Sequence, residues 1–150
     1  MSPLLSLTSG VLIATGFGGM VFFALVFAPL VFTRLPEDVA GPFIRQVFPS
    51  YYLTMAVITG LAAATSLAST LLTESAQTGA FGPVLLLALL SAGFAYARQG
   101  LMPRVNALRD RQLAGDDEAG PAFERLHRAS VALNALQLAL LFGLLVHELR

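Results

Sequence analysis

Residues Ser9–Val31 read SGVLIATGFGGMVFFALVFAPLV, 23 positions without a single charge. As a helix this stretch covers about 34 Å, enough to cross a hydrocarbon core of about 30 Å. In lipid the backbone finds no water to bond, so such a stretch must be helical. A secretory leader would show a basic flank, a shorter apolar run and a small-residue cleavage site. None is present here, so we read a retained membrane helix.

Three further apolar stretches follow, Tyr51–Leu72, Pro83–Leu101 and Ala129–Val146. Each is roughly 18–22 residues, again a membrane-spanning length. No strand-like alternation of useful length appears, which argues against a β-barrel. The expectation is an all-α, four-transmembrane-helix bundle forming one integral membrane domain over residues 1–150.

Composition agrees. The 150 residues are 56% hydrophobic and 12% charged, with mean hydropathy +0.74. A soluble domain carries about 25% charge, and a chain this small has too much surface to cover with less. A soluble monomer and a disordered chain are therefore excluded. The net charge is +0, so nothing favours nucleic acid. Cysteine and lysine are both absent, which removes disulfides, thiolate metal sites, cysteine nucleophiles and Schiff-base chemistry.

All nine basic residues are Arg, and their placement is one-sided. Arg34 and Arg45 follow the first span. Arg98, Arg104, Arg109, Arg111, Arg125 and Arg128 lie between the third and fourth. The opposite side has Arg150 alone. The positive-inside rule then places both Arg-bearing loops in the cytoplasm and both termini outside a cell membrane. Within those loops, Pro42–Phe48 and Pro103–Leu113 read as short interfacial helices. Arg45 and Gln46 are expected to face water, and Tyr51, Tyr52 and Tyr96 to mark the headgroup level. The run Gly115–Gly120 reads as a solvated break, and Thr73–Gly82 as the loop on the other side.

The last span carries the most chemistry. Glu124, His127, Ser130, Asn134 and Gln137 are spaced 3, 3, 4 and 3 apart and share one helix face. With Gln137 at the bilayer midplane, Asn134 lies about 5 Å and Ser130 about 11 Å towards the cytoplasm. Such a stripe is either polar glue between helices or the wall of a cytoplasm-facing cavity. Arg98 sits at a similar depth, about 9 Å from the midplane. It either snorkels to the headgroups or turns inward. We expect Arg98, His127 and Asn134 to form one connected cluster, within a candidate polar site that also includes Asn106, Glu124, Ser130 and Gln137. On the first span, Ala14 with Gly18, or Thr15 with Gly19, offers a close-packing face for a homo-oligomer or another membrane protein. Thr59, Ser66, Thr70 and Thr73 share a face of the second span and read as packing residues bonded back to their own helix.

No metal site is expected. His127 and His147 lie at opposite ends of one helix, about 30 Å apart. A bis-His haem would need a second copy of the chain.

Several motifs together resemble the transmembrane protein 205-like family. They are Gly19-Met-Val-Phe-Phe-Ala, Ala28-Pro-Leu-Val-Phe, Leu35-Pro, Val47-Phe-Pro-Ser-Tyr51-Tyr, Pro103-Arg-Val-Asn106 and Phe123-x-Arg-Leu-His127-x-x-Ser130-x-x-x-Asn134. The resemblance implies a four-helix membrane domain with Phe48, Pro49, Asn106, His127, Ser130 and Asn134 as signature positions. It brings no catalytic residues to transfer. The functional expectation is an accessory or scaffold membrane subunit, without a cofactor. The alternatives are a small oligomeric transporter with a cytoplasm-facing cavity, and a haem- or quinone-binding redox protein.

Overall fold

A computed structural model describes residues 2–72 and 81–149. The loop expected at Thr73–Gly82 falls mostly on residues 73–80, outside the described ones, as does Thr73 itself. Every described element is helical: α1 (Ser2–Phe22), a π-helical turn (Phe23–Phe27), α2 (Ala28–Arg34), α3 (Glu37–Leu72), α4 (Phe81–Tyr96), a second π turn (Ala97–Leu101), α5 (Met102–Leu113) and α6 (Ala119–Glu148). They join into four rods, Pro3–Arg34, Glu37–Leu72, Phe81–Leu113 and Ala119–Glu148, each long and apolar enough to cross a membrane. At 30–36 residues they are about 45–54 Å long, well beyond the hydrocarbon thickness. The rods are therefore long enough for their ends to reach past the apolar slab.

Prolines explain the two π turns. Pro29 and Pro103 each follow a π turn by two residues. A helical proline lacks the N–H for the residue four back, and its ring crowds that carbonyl. A widened turn relieves the crowding. The i→i−5 bonds run from the Ala28 N–H to the Phe23 carbonyl and from the Met102 N–H to the Ala97 carbonyl.

Pro42 and Pro49 act differently from the sequence expectation. The segment Pro42–Phe48 is not a separate interfacial helix but part of the unbroken α3. Continuing the helix forfeits one backbone bond per proline, whereas a break frees several groups. Pro103–Leu113 is likewise joined end-on to α4 through the π turn. The chain turns between α2 and α3 at Leu35, which is extended ahead of Pro36. Between α5 and α6 it turns at Gly115, whose φ of 91° suits only glycine. There the Asp116 carboxylate accepts from the backbone N–H groups of Glu118 and Ala119 and is gripped by Arg111.

The rods close in a ring, with α1 on α3 and α6, α3 on α4, and α5 on α6. The main core contains Ile13, Met20, Tyr52, Met55, Ala62, Leu87, Phe94 and Leu141. Small residues set its tightness. A Cβ on Gly16 would touch Ile58 and Leu141 at 3.4 and 3.8 Å, and one on Gly60 would meet Ser91 at 3.1 Å. Ser91 donates across to the Ala56 carbonyl at 2.8 Å, and Ser9 to the Ala62 carbonyl at 3.4 Å. Thr59 and Thr70 bond back to their own helix instead. A smaller apolar cluster, Val31, Ala40 and Ile44, sits at the Arg-bearing end.

The proposed packing face on α1 divides. Ala14, Thr15 and Gly18 are exposed, with Thr15 bonded back to Val11, whereas Gly19 packs against Met55 inside the chain.

Candidate functional site: a cavity at the Arg-bearing end

The α6 stripe points inward over its lower part. Gln137 is 3% exposed and Ser130 8% exposed. The Gln137 amide fits because Gly93 stands opposite: a Cβ there would lie 3.0 Å from Nε2. Neither Gln137 amide atom has a hydrogen-bond partner. One turn along, Asn134 Nδ2 donates to the Tyr52 hydroxyl at 2.9 Å, while its Oδ1 has none. Tyr52 is buried, not a headgroup anchor. It stacks on Phe48 at 5.5 Å and leans on Phe94 at 6.5 Å, so its ring is fixed from two helices.

Above this Tyr52–Asn134 bond the bundle opens. A cavity of about 360 Å³ lies between α3, α5 and α6, with Phe32 of α2 at its edge. Its apolar wall includes Ile44, Phe48, Met102, Val105 and Val131. Its polar groups are Tyr52, Asn106, His127, Ser130 and Asn134, with Arg45 and Arg109. No carboxylate lines it among the described residues. Phe32 and Val131 are both exposed, so the mouth has apolar lips turned outward.

The charged groups are individually held. Arg45 is not free in water: its Nη1 donates to Asp110 Oδ1 at 2.6 Å, and its Nη2 to the Asn106 carbonyl at 3.4 Å. Among the described residues Arg109 forms no ion pair with a carboxylate. Its Nη1 donates to the neutral Gln112 at 2.7 Å, and its guanidinium lies 5.3 Å from the Phe123 ring centre. The His127 ring stacks on the same Phe123 at 5.6 Å, 13° from parallel. Ser130 donates to the His127 carbonyl at 2.7 Å.

The structure thus gathers Asn106, His127, Ser130 and Asn134 around one space, with Gln137 beneath it. Two members of the expected cluster lie elsewhere. Arg98 donates through Nε to the Pro49 carbonyl at 3.1 Å and does not line the cavity. Glu124 lines a separate surface hollow with Gln112, Arg125 and Arg128. Sequence reasoning missed Tyr52, Arg45, Arg109 and Phe123 as members. The usable signal was the i, i+4 spacing of Phe123 and His127, which places the two rings on one face. Among the described residues no three His, Asp or Glu side chains group as metal ligands.

A family model described as a domain of unknown function, DUF4149, matches residues 11–113. The match covers α1 through α5, including Arg45, Tyr52, Asn106 and Arg109, and stops before α6. No curated protein and no solved structure matches the chain.

Proposed function

The chain belongs to the DUF4149 family, and from that footing we propose that it is an accessory membrane subunit whose cavity receives an amphiphilic molecule from the bilayer. The observation that carries this reading is the cavity itself. It has apolar lips, a mostly apolar wall set with a few polar groups, and a floor closed by Tyr52 and Asn134. At about 360 Å³ it falls in the lower part of the roughly 300–1,000 Å³ range of small-molecule sites. A transport path has less support, because below the floor lie Met55, Phe94 and Leu141, all buried.

The transmembrane protein 205-like resemblance supports the same class, since five of its six signature positions, Phe48, Asn106, His127, Ser130 and Asn134, line this cavity. We place the Arg-bearing end in the cytoplasm on the charge bias. Reporter fusions at Gly79 and at the C-terminus are expected to report the outside. The outward Ala14–Gly18 face favours self-association or a membrane partner.

The test is purification of the full chain in mild detergent, followed by extraction of bound lipid and an absorbance spectrum. We expect a retained amphiphile, and its loss in Ser130→Trp, which fills the cavity. A chain that carries no amphiphile and takes up none overturns the reading. Visible absorbance would replace it with the haem or quinone alternative.

A further inference from the structure

We propose that the cavity selects amphiphiles with an anionic phosphate head, that is, acidic phospholipids. This rests on the amphiphile reading above and adds the charge of the ligand. Arg45, Arg109 and His127 face the space, and no carboxylate lines it among the described residues. Asp110 offsets Arg45. Glu37 and Asp38 stand nearby, but they line an outer hollow that shares only Gly41, Arg45 and Arg109 with the cavity. Arg109 is the group left over. Its partners are an amide and an aromatic ring, and neither cancels its charge.

Depth fits the same ligand. His127 is ten residues above Gln137, about 15 Å from the midplane along the helix, where hydrocarbon gives way to headgroups. Arg109 lies on α5 beyond that level. A phosphate between them meets a planar guanidinium able to donate two bonds at once. The volume admits the polar end of a lipid only. Its acyl chains would leave between Phe32 and Val131, which already face outward as apolar surface. A basic pocket between helices at this level is a recognised way to hold an acidic headgroup.

Native mass spectrometry of the full chain, released from mild detergent with equal dioleoyl-phosphatidylglycerol and dioleoyl-phosphatidylcholine, tests this. We expect phosphatidylglycerol adducts to exceed phosphatidylcholine adducts about tenfold: both carry the phosphate, but the choline cation of the second cancels the net charge that Arg109 attracts. Arg109→Gln should remove the preference, lowering phosphatidylglycerol uptake far more than that of phosphatidylcholine, whose choline already offsets its phosphate. Arg104→Gln, on the same helix but outside the cavity, should retain the preference. Val131→Trp, which narrows the mouth without touching a charge, should lower both lipids together and keeps the test valid if Arg109→Gln folds poorly. Equal uptake of the two lipids by the wild type overturns the charge assignment and leaves the amphiphile reading standing. Uptake of neither overturns both. An equal loss of preference in Arg104→Gln would mean bulk surface attraction and would overturn the site. Displacement of the lipid by millimolar inorganic phosphate would assign the site to a free anion, not a lipid.

Discussion

The two halves of the bundle solve different problems with the same helices. On the far side of the Tyr52–Asn134 bond, the rods approach closely wherever a glycine faces a neighbour, at Gly16, Gly60 and Gly93. Among the described residues no charged one is buried there. On the near side the spacing is filled by Phe, Arg and His side chains, and a cavity remains. In lipid, helix association gains little from apolar burial, so close contact and shared hydrogen bonds must hold the bundle. The closed half supplies that contact.

The sharpest way to break this contrast is at Gly16. Gly16→Leu pushes into Ile58 and Leu141 and should destabilise by about 1–3 kcal/mol, the usual scale of overpacking. Gly143→Leu, where a Cβ meets nothing within 4 Å, should leave thermal unfolding in detergent unchanged. Equal losses would show that the closed half is not specifically tight.

Gln137→Leu probes the same half with the opposite sign. Its amide is buried without a partner, and an unsatisfied polar group carries a penalty of about 1–3 kcal/mol. Replacement by Leu should raise the unfolding temperature. A fall would reveal a bonded water or ligand beside Gly93.

In the open half, Arg45→Ala removes an ion pair whose side chains are 27% and 63% exposed. Such pairs are worth about 0–1 kcal/mol, so the unfolding shift should be small. A loss as large as that of Gly16→Leu would mean that the Arg-bearing end holds the bundle together.

The smallest effect concerns the α5–α6 turn. Arg111 beside Asp116 holds that carboxyl below its usual range, helped by the N–H groups of Ala119 and Glu118. The bonded turn is therefore fully present above the ordinary carboxylate value of about 3.9 and is lost as pH falls through the lowered one. Hydrogen exchange at Glu118 and Ala119, corrected for the intrinsic pH dependence of exchange, should lose protection only in strong acid. Loss of protection already near pH 6 would contradict it.

The four spans were legible because lipid permits so few backbone arrangements that an uncharged run nearly dictates a helix. Their ends were not. Pro42 read as the start of a short helix and Pro49 as its stop, yet α3 passes through both. A helix can yield locally at a proline, and only the packing around it decides whether it ends. The inward face of α6 at Ser130, Asn134 and Gln137 was legible from spacing. Arg98 was not, because depth along one helix says nothing about which neighbour a side chain faces. Tyr51 and Tyr52 make the same point. They are adjacent and look equivalent, but one packs on Phe23 at the flank and the other closes the cavity floor.

The π turn at Ala97–Leu101 has a consequence for how the open half is encoded. A π turn holds one residue more than an α turn, and each residue in an α-helix advances the side chain by about 100°. The widened turn takes up that extra residue, so α5 leaves it on nearly the bearing of an unbroken α-helix one residue shorter. A single deletion inside Ala97–Leu101 should therefore spare the aim of Asn106 and Arg109 towards α6, and a second one there, with no slack left, should turn both residues away by about 100°. The aim of that wall rests on a turn with one residue to spare, so it tolerates the loss of one codon and not of two.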